Sequence, residues 1–275
     1  FDVNDINQRE IEIKKSDIVI SMLPANMHYL VAEECVKLAK NLVTASYVSP
    51  QIQKLDKQAK KQGVLLLNEI GLDPGIDHMS AMQVINTIKS EGGIITSFKS
   101  FCGGLIHPKY DNNIWNYKFT WNPRNVVLAG VGESQFLQDN QIKKIPYGHI
   151  FNNTEKIFIK DLGMFEGYPN RDSLHYQKVY GLENISSMIR GTLRKEGFCR
   201  SWDFLVQLGL TNDEHLISDL NNLTYREYIE LFLEENNRYL DVEDRFCKRL
   251  NILRNSNEFQ KMEWLGLFSK EKIGL

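Results

Sequence analysis

Two stretches of the chain hold side chains suited to moving protons and gripping carboxylates. NEIGLDPGIDH, residues 68–78, sets Asp73, Asp77 and His78 around a Pro-Gly turn, directly after the apolar run VLLL. YPNRDS (168–173) and IRGTLRKEGF (189–198) bring Arg171, Arg190 and Arg194 among Gly, Pro, Asn and Thr. A carboxylate within hydrogen-bond reach of a reacting group can serve as general acid or base. The arginine fork holds a carboxylate through paired, charge-assisted hydrogen bonds. Each arginine alone reads equally as a solvated surface cation; their shared loop context favours a pocket for a multiply charged acid. Metal chemistry fits less well, because Asp73 and Asp77 straddle the turn without an HExxH or a second histidine cluster. No metal is expected, and Asp77 is expected to cap the helix that follows. Trp121 in FTWNP reads either as core or as a wall of the arginine pocket.

The elements that must position these residues alternate in type. SDIVISML (16–23) reads as a buried strand closed by Pro24, and HYLVAEECVKLAKN (28–41) carries apolar residues at helical spacing. NLVTASYV (41–48) is a second strand; Ser49-Pro50 opens a helix running to Gly63, and VLLLNEIG (64–71) is a third strand. Strands separated by helices imply a doubly wound parallel sheet, whose ligands bind beyond the carboxyl ends of the strands. Those ends are Leu23-Pro24-Ala25, Ser46-Tyr47-Val48, Gly71-Leu72-Asp73-Pro74 and Cys102-Gly103-Gly104. Any one of them could be a plain turn, but titratable residues in three of the four point to a site. After a helix over 77–91 and a strand over 94–101, the texture changes to aromatic-rich short strands (YKFTW, KIFIKDL). Several helices follow between 203 and 267. A domain change is therefore expected at 76/77.

Composition narrows the function classes. The 275 residues are 42% hydrophobic, enough for one or two domains with a sizeable core. With 33 basic and 35 acidic residues the formal net charge is −2, so no global field argues for nucleic acid or a membrane surface. Four scattered cysteines without CxxC spacing suit a reducing cytoplasm, and no apolar run approaches the ~18 residues of a membrane span.

The strings SYVSP (46–50), NEIGLDPGIDH (68–78), FCGGL (101–105), YKFTW (117–121), EGYPNRDS (166–173) and RGTLR (190–194) together resemble the glutamate-forming saccharopine dehydrogenases. The resemblance runs in order along nearly the whole chain. It implies a partial Rossmann domain over 1–76, followed by an α/β substrate-binding and dimerisation domain with a mixed sheet over 77–275. It also implies an oxidoreductase of lysine metabolism, commonly a dimer. Such an enzyme converts saccharopine, NADP+ and water reversibly to glutamate, 2-aminoadipate 6-semialdehyde and NADPH. By that resemblance Tyr47, Asp73 and Cys102 are catalytic candidates, and Ser46, Tyr47, Asp73, Arg171, Thr192, Leu193 and Arg194 contact the substrate. Asp2, Val3, Leu23, Pro24, Leu72, Asp73 and Trp121 line the coenzyme.

The ends depart from the family pattern. No GxGxxG occurs here, and the long segment that follows WLGLFS in the family has no counterpart. The expectation is a fragment that alone binds NADP poorly and turns over little, with a Gly-rich turn encoded within about 70 residues upstream. Two other readings stay open. One is a reductive-amination enzyme like carboxynorspermidine dehydrogenase, against which the arginine motifs speak. The other is a non-catalytic relative acting as a binding or oligomerisation module.

Overall fold

The computed structural model describes residues 1–120, 122–128, 132–146, 148–214, 217–234 and 239–274. The chain divides into two compact units, Phe1–Ile94 and Ile95–Leu275. The texture change at 76/77 precedes this division.

The first unit opens with α1 (Ile6–Lys15), whose N-cap Asp5 accepts from the backbone N–H groups of Asn7 and Gln8. Then come β1 (Ile18–Ser21), a 3-10 turn (Ala25–Met27), α2 (His28–Lys37), β2 (Asn41–Thr44), α3 (Pro50–Lys54), α4 (Asp56–Gln62), β3 (Leu66–Leu67) and α5 (Ile76–Ser90). The Ser49 hydroxyl caps α3 by accepting from Ile52 N–H at 3.2 Å, and Gly63 closes α4 in the left-handed conformation at φ 67°. The strands form a parallel sheet in the order β1-β2-β3. Leu42 is its most buried strand side chain, in a core with Val31, Ala32, Cys35, Val36, Ile52 and Ala59. Because strand side chains alternate, the other face is open, and Ile18, Ile20, Leu65 and Leu67 are exposed there.

All three expected strands and the helix over 28–41 are shorter: the strand over 16–23 keeps Ile18–Ser21 and that over 41–48 keeps Asn41–Thr44. The helix over 28–41 ends at Lys37, since Ala39 takes φ 54° and Lys40 N–H bonds back to Cys35 O at 2.8 Å. The third strand keeps only Leu66 and Leu67, because Glu69 takes φ 59° and turns the chain.

The second unit contains β4 (Ser97–Cys102), a 3-10 turn (Pro108–Tyr110), α6 (Pro123–Val127), β5 (Ser134–Gln138), β6 (Gln141–Ile145), β7 (Glu155–Ile159), β8 (Gly163–Pro169), α7 (His175–Val179) and β9 (Ser187–Lys195). The helices α8 (Phe198–Gln207), α9 (Tyr225–Glu230), α10 (Val242–Leu250) and α11 (Asn257–Trp264) complete it. Its sheet is mixed, in the order β6-β5-β9-β8-β7, with β4 pairing in parallel with β9. An aromatic core of Trp115, Tyr117, Phe151, Tyr168, Phe198, Trp202, Phe246 and Phe259 lies in this unit. The expected strand YKFTW does not form over 117–120. The carbonyl of Tyr117 is taken by the Asn113 side-chain amide at 2.8 Å, and the Tyr117 ring packs on Phe198.

Candidate active site

In the first unit the loops leaving the parallel strands bring Ser46, Tyr47 and Asp73 together. The Tyr47 hydroxyl donates to Asp73 Oδ1 at 2.9 Å, and Ser46 is held from below by His28, whose Nε2 lies 2.7 Å from Ser46 Oγ. The other ring nitrogen, Nδ1, lies 2.7 Å from Ser21 Oγ. Ser21 ends β1, Ser46 follows β2 by two residues, and His28 begins α2, so the imidazole ties two strand ends together. His28 is 2% exposed, and burial pushes its pKa below the ordinary 6.5, which keeps the ring neutral. Glu69 braces the same loops: its carboxylate accepts from Val48 N–H at 3.1 Å, and its backbone N–H bonds Ser46 O at 3.0 Å.

Asp77 does not stand at the N-cap. That position is Gly75, and Asp77 sits within the first turn of α5, where Oδ1 accepts from Gly75 N–H at 2.7 Å. The carboxylate therefore pins the turn from inside the helix. Gly75 takes φ 149°, and a Cβ there would lie 2.0 Å from Gly71 O, so only glycine lets the GLDPG loop close on itself. His78 lies between Glu69 and Asp77, with Nε2 3.1 Å from Glu69 Oε2 and Nδ1 3.7 Å from Asp77 Oδ2. Among the described residues no group of three His, Cys, Asp or Glu side chains is placed to hold a metal ion.

In the second unit β9 is the organising strand. Cys102, the last residue of β4, is paired in register with Thr192, and Tyr168 of β8 faces Thr192 from the other side. Tyr168 is fully buried, and burial pushes its pKa up to about 12, so it stays a phenol. Arg194 is 5% exposed, with its guanidinium 4.7 Å from the Tyr117 ring centroid and 5.3 Å from that of Phe198. It donates to Leu193 O at 3.0 Å, yet Nε has no hydrogen-bond partner, and no ion pair to it occurs among the described residues. The buried Tyr117 hydroxyl likewise has no partner among them. A buried cation without a counter-ion is expensive, and an anionic ligand would relieve that cost. Gly103 permits the approach: a Cβ there would lie 2.2 Å from Leu193 O and 3.2 Å from the Arg194 guanidinium.

The three arginines are not equivalent. Arg190 is buried and stacks on Tyr176, its guanidinium 4.0 Å from the ring centroid. Arg171 is exposed on the loop after β8 at φ 52°, its carbonyl accepting from Gln135 N–H at 2.9 Å and from the Ser134 hydroxyl at 3.1 Å. Leu193, beside Arg194, is buried. Near β9, Glu166 bonds Lys156 at 3.1 Å and accepts from Cys199 N–H at 3.0 Å.

Of the coenzyme candidates, Leu23, Pro24 and Leu72 lie on the loops leaving β1 and β3, where Pro24 and Leu72 expose apolar surface suited to a flat ring. Val3 is buried, and its carbonyl accepts from the Arg9 guanidinium, while Asp2 Oδ1 accepts from Asn4 N–H at 2.9 Å. Trp121 lies outside the described residues. Sequence reasoning missed His28, because no spacing rule links residues 21, 28 and 46. The only signal was a histidine opening a helix after a strand.

Two family models match in succession: the saccharopine dehydrogenase NADP binding domain over residues 1–67 and the saccharopine dehydrogenase C-terminal domain over 71–272. The chain belongs to the saccharopine dehydrogenase family. It is 35% identical over 279 residues to a saccharopine dehydrogenase [NADP(+), L-glutamate-forming] of Pyricularia oryzae, covering 99% of this chain and 62% of that protein. It is 36% identical to an alpha-aminoadipic semialdehyde synthase of Arabidopsis thaliana, over 94% of this chain and 25% of that protein. Among solved structures, apo histidine-tagged saccharopine dehydrogenase (L-Glu forming) from Saccharomyces cerevisiae superposes with a TM-score of 0.82. The two are 30% identical, over 100% of this chain and 62% of that one. The chain thus spans about three fifths of the fungal family members.

Proposed function

We propose that the full-length protein is an NADP-dependent oxidoreductase of lysine metabolism. It converts saccharopine, NADP+ and water to glutamate, 2-aminoadipate 6-semialdehyde and NADPH, reversibly. Coenzyme binding falls to residues 1–76, and substrate binding and dimerisation to 77–275. The observation that carries the reading is Arg194, a buried cation with no ion-pair partner among the described residues, in a family whose fungal members are named for this activity. A tricarboxylic substrate supplies the missing counter-charge, with Arg171, Thr192 and Leu193 shaping the same subsite.

NADP, when bound, supplies the hydride acceptor. Leu23, Pro24 and Leu72 would line it, and Asp2 and Val3 would flank its adenine end. Tyr47 donates to one oxygen of Asp73 and so fixes the carboxylate, whose other oxygen takes the proton from the secondary amine of saccharopine. Once that proton has passed to bulk water, the restored carboxylate stabilises the positive charge of the iminium that water attacks. Cys102, beside Thr192, assists the later proton transfers. In this reading the protein works as a homodimer in the cytoplasm, a reducing compartment that its four free cysteines suit.

The deciding experiment mixes the full-length protein with glutamate, aminoadipate semialdehyde and NADPH and follows NADPH absorbance. Consumption that needs both organic substrates is expected. No consumption, or equal consumption with a diamine in place of glutamate, would rule the reading out.

A further inference from the structure

We propose that His28 is a positioning residue for the reaction. Its imidazole donates Nε2–H to Ser46 Oγ, which leaves the Ser46 hydroxyl proton free to bond a substrate carboxylate. The inference rests on the reading that Ser46 meets a carboxylate substrate, and it goes beyond that reading by naming what holds Ser46 in the donating state.

The geometry carries the argument. His28 lies in a buried chain, with Ser21 Oγ 2.7 Å from Nδ1 and Ser46 Oγ 2.7 Å from Nε2. Ser21 is 4% exposed and His28 2%, while Ser46 at the outer end is half-buried, so the chain opens only at Ser46. Thr44, 1% exposed, lies on the ring edge at 3.4 Å from Nδ1 and 3.5 Å from Nε2, and its oxygen accepts from Ser46 N–H at 3.3 Å. Backbone and side chain of Ser46 are therefore both held from the strand ends.

A neutral imidazole has one N–H and one lone pair, so the chain can run in only two directions. If Nδ1 carries the proton, Ser46 must spend its single proton on Nε2 and offers a ligand lone pairs only. A carboxylate would then be repelled. If Nε2 carries the proton, Ser21 donates to Nδ1, Ser46 Oγ accepts from Nε2, and the Ser46 proton points outward as a donor. Burial, which pushes the His28 pKa down, keeps the ring in the neutral form on which this choice depends. Tyr47, the next residue, is fixed on Asp73 at 2.9 Å, so the two adjacent side chains have distinct duties: one binds, the other orients the base.

Two measurements on the full-length protein test this. Long-range 1H–15N spectra of the histidine-labelled protein at neutral pH are expected to give the Nε2–H tautomer for His28; the Nδ1–H tautomer overturns the proposal. In steady-state kinetics, His28→Ala should raise the KM for saccharopine about tenfold, leave that for NADP unchanged, and add nothing to the effect of Ser46→Ala. His28→Gln, which can place an amide N–H where Nε2 lies, should recover most of the loss. Additive effects of the His28 and Ser46 substitutions, or equal rises in both KM values, would mean that His28 serves only the fold. If His28→Ala does not fold, the tautomer and the Gln variant decide. A wild-type protein that oxidises no saccharopine sinks the function reading instead, and the tautomer alone then settles this one.

Discussion

The sheets of the two units hold functional groups by different means. In the first unit three short parallel strands bury one face against α2, α3 and α4 and leave Ile18, Ile20, Leu65 and Leu67 exposed on the other. The candidates Ser46, Tyr47 and Asp73 sit on loops beyond those strands, fixed by hydrogen bonds: Tyr47 to Asp73, and Ser46 to the buried His28. In the second unit the carboxylate-binding candidates Thr192, Leu193 and Arg194 lie within β9 itself, and aromatic rings pack on the Arg194 guanidinium. Loop groups held by polar contacts can be altered without disturbing a core, whereas strand groups are part of one. Substitutions of these loop groups should therefore cost rate or binding with little loss of stability, and those in the second unit should trade between binding and stability.

The largest effect tests the first half of that contrast. Asp73→Asn should lower kcat of the full-length enzyme about a hundredfold to ten-thousandfold, the usual range for losing a general base, with little change in thermal midpoint. Steady-state kinetics beside thermal unfolding would check it, and activity within tenfold of wild type would remove Asp73 from the chemistry. Arg194→Met is the next largest and breaks the second half on purpose. Its KM for saccharopine should rise about thirtyfold or more, since a buried charged contact costs about 2–5 kcal/mol when cut. Its thermal midpoint should hold or rise, because the guanidinium has no ion pair among the described residues to lose. A lower midpoint with an unchanged KM would make Arg194 structural.

Gly103→Ala sharpens the same point without removing a charge. The new Cβ would stand 2.2 Å from Leu193 O, so β4 and β9 must shift at their ends. Denaturant unfolding should register a loss of about 1–3 kcal/mol, the range for overpacking. A loss below about 0.5 kcal/mol would mean that the strand ends give freely.

What was legible in the chain follows this same division. Apolar runs closed by Pro or Gly reveal β1, α2 and β2 because burial of one face leaves a compositional mark. The loops with Tyr47 and Asp73 stood out because parallel strands point their carboxyl ends at ligands. The Ser21–His28–Ser46 chain left no mark, since its members are separated by 7 and 18 positions and meet only through the parallel pairing of β1 with β2. The β5–β6 hairpin was hidden for another reason. Its second strand, QIKKI, is mostly exposed, and the turn rests on Asp139 and Asn140 at φ 50° and 61°, a left-handed pair without glycine. The third strand was overextended because the apolar run gives no warning that Glu69 turns the backbone.

The smallest predicted effect concerns acid, and it separates the units by the groups they bury. His28 in the first unit is pushed below 6.5 by burial. Glu166 in the second is raised by burial, but hydrogen bonds from the Cys199 and Gly197 N–H groups and from Lys156 outweigh this and hold it below 4.5. Both groups have folded pKa values below their unfolded ones, so in both cases the unfolded chain takes up protons first as pH falls. The stability each contributes is complete above its ordinary pKa and lost as pH falls through the folded value, at no more than about 1.4 kcal/mol per pH unit. The first unit should therefore begin to weaken near pH 6.5 and the second only near pH 4.5. Hydrogen exchange resolved along the sequence would follow each unit, with His28→Gln flattening the first slope and Glu166→Gln the second. If protection in β8 and β9 fell before that in β1 and β2, the hydrogen-bonded loops of the first unit would be the sturdier scaffold, and the contrast between the units would have to be reversed.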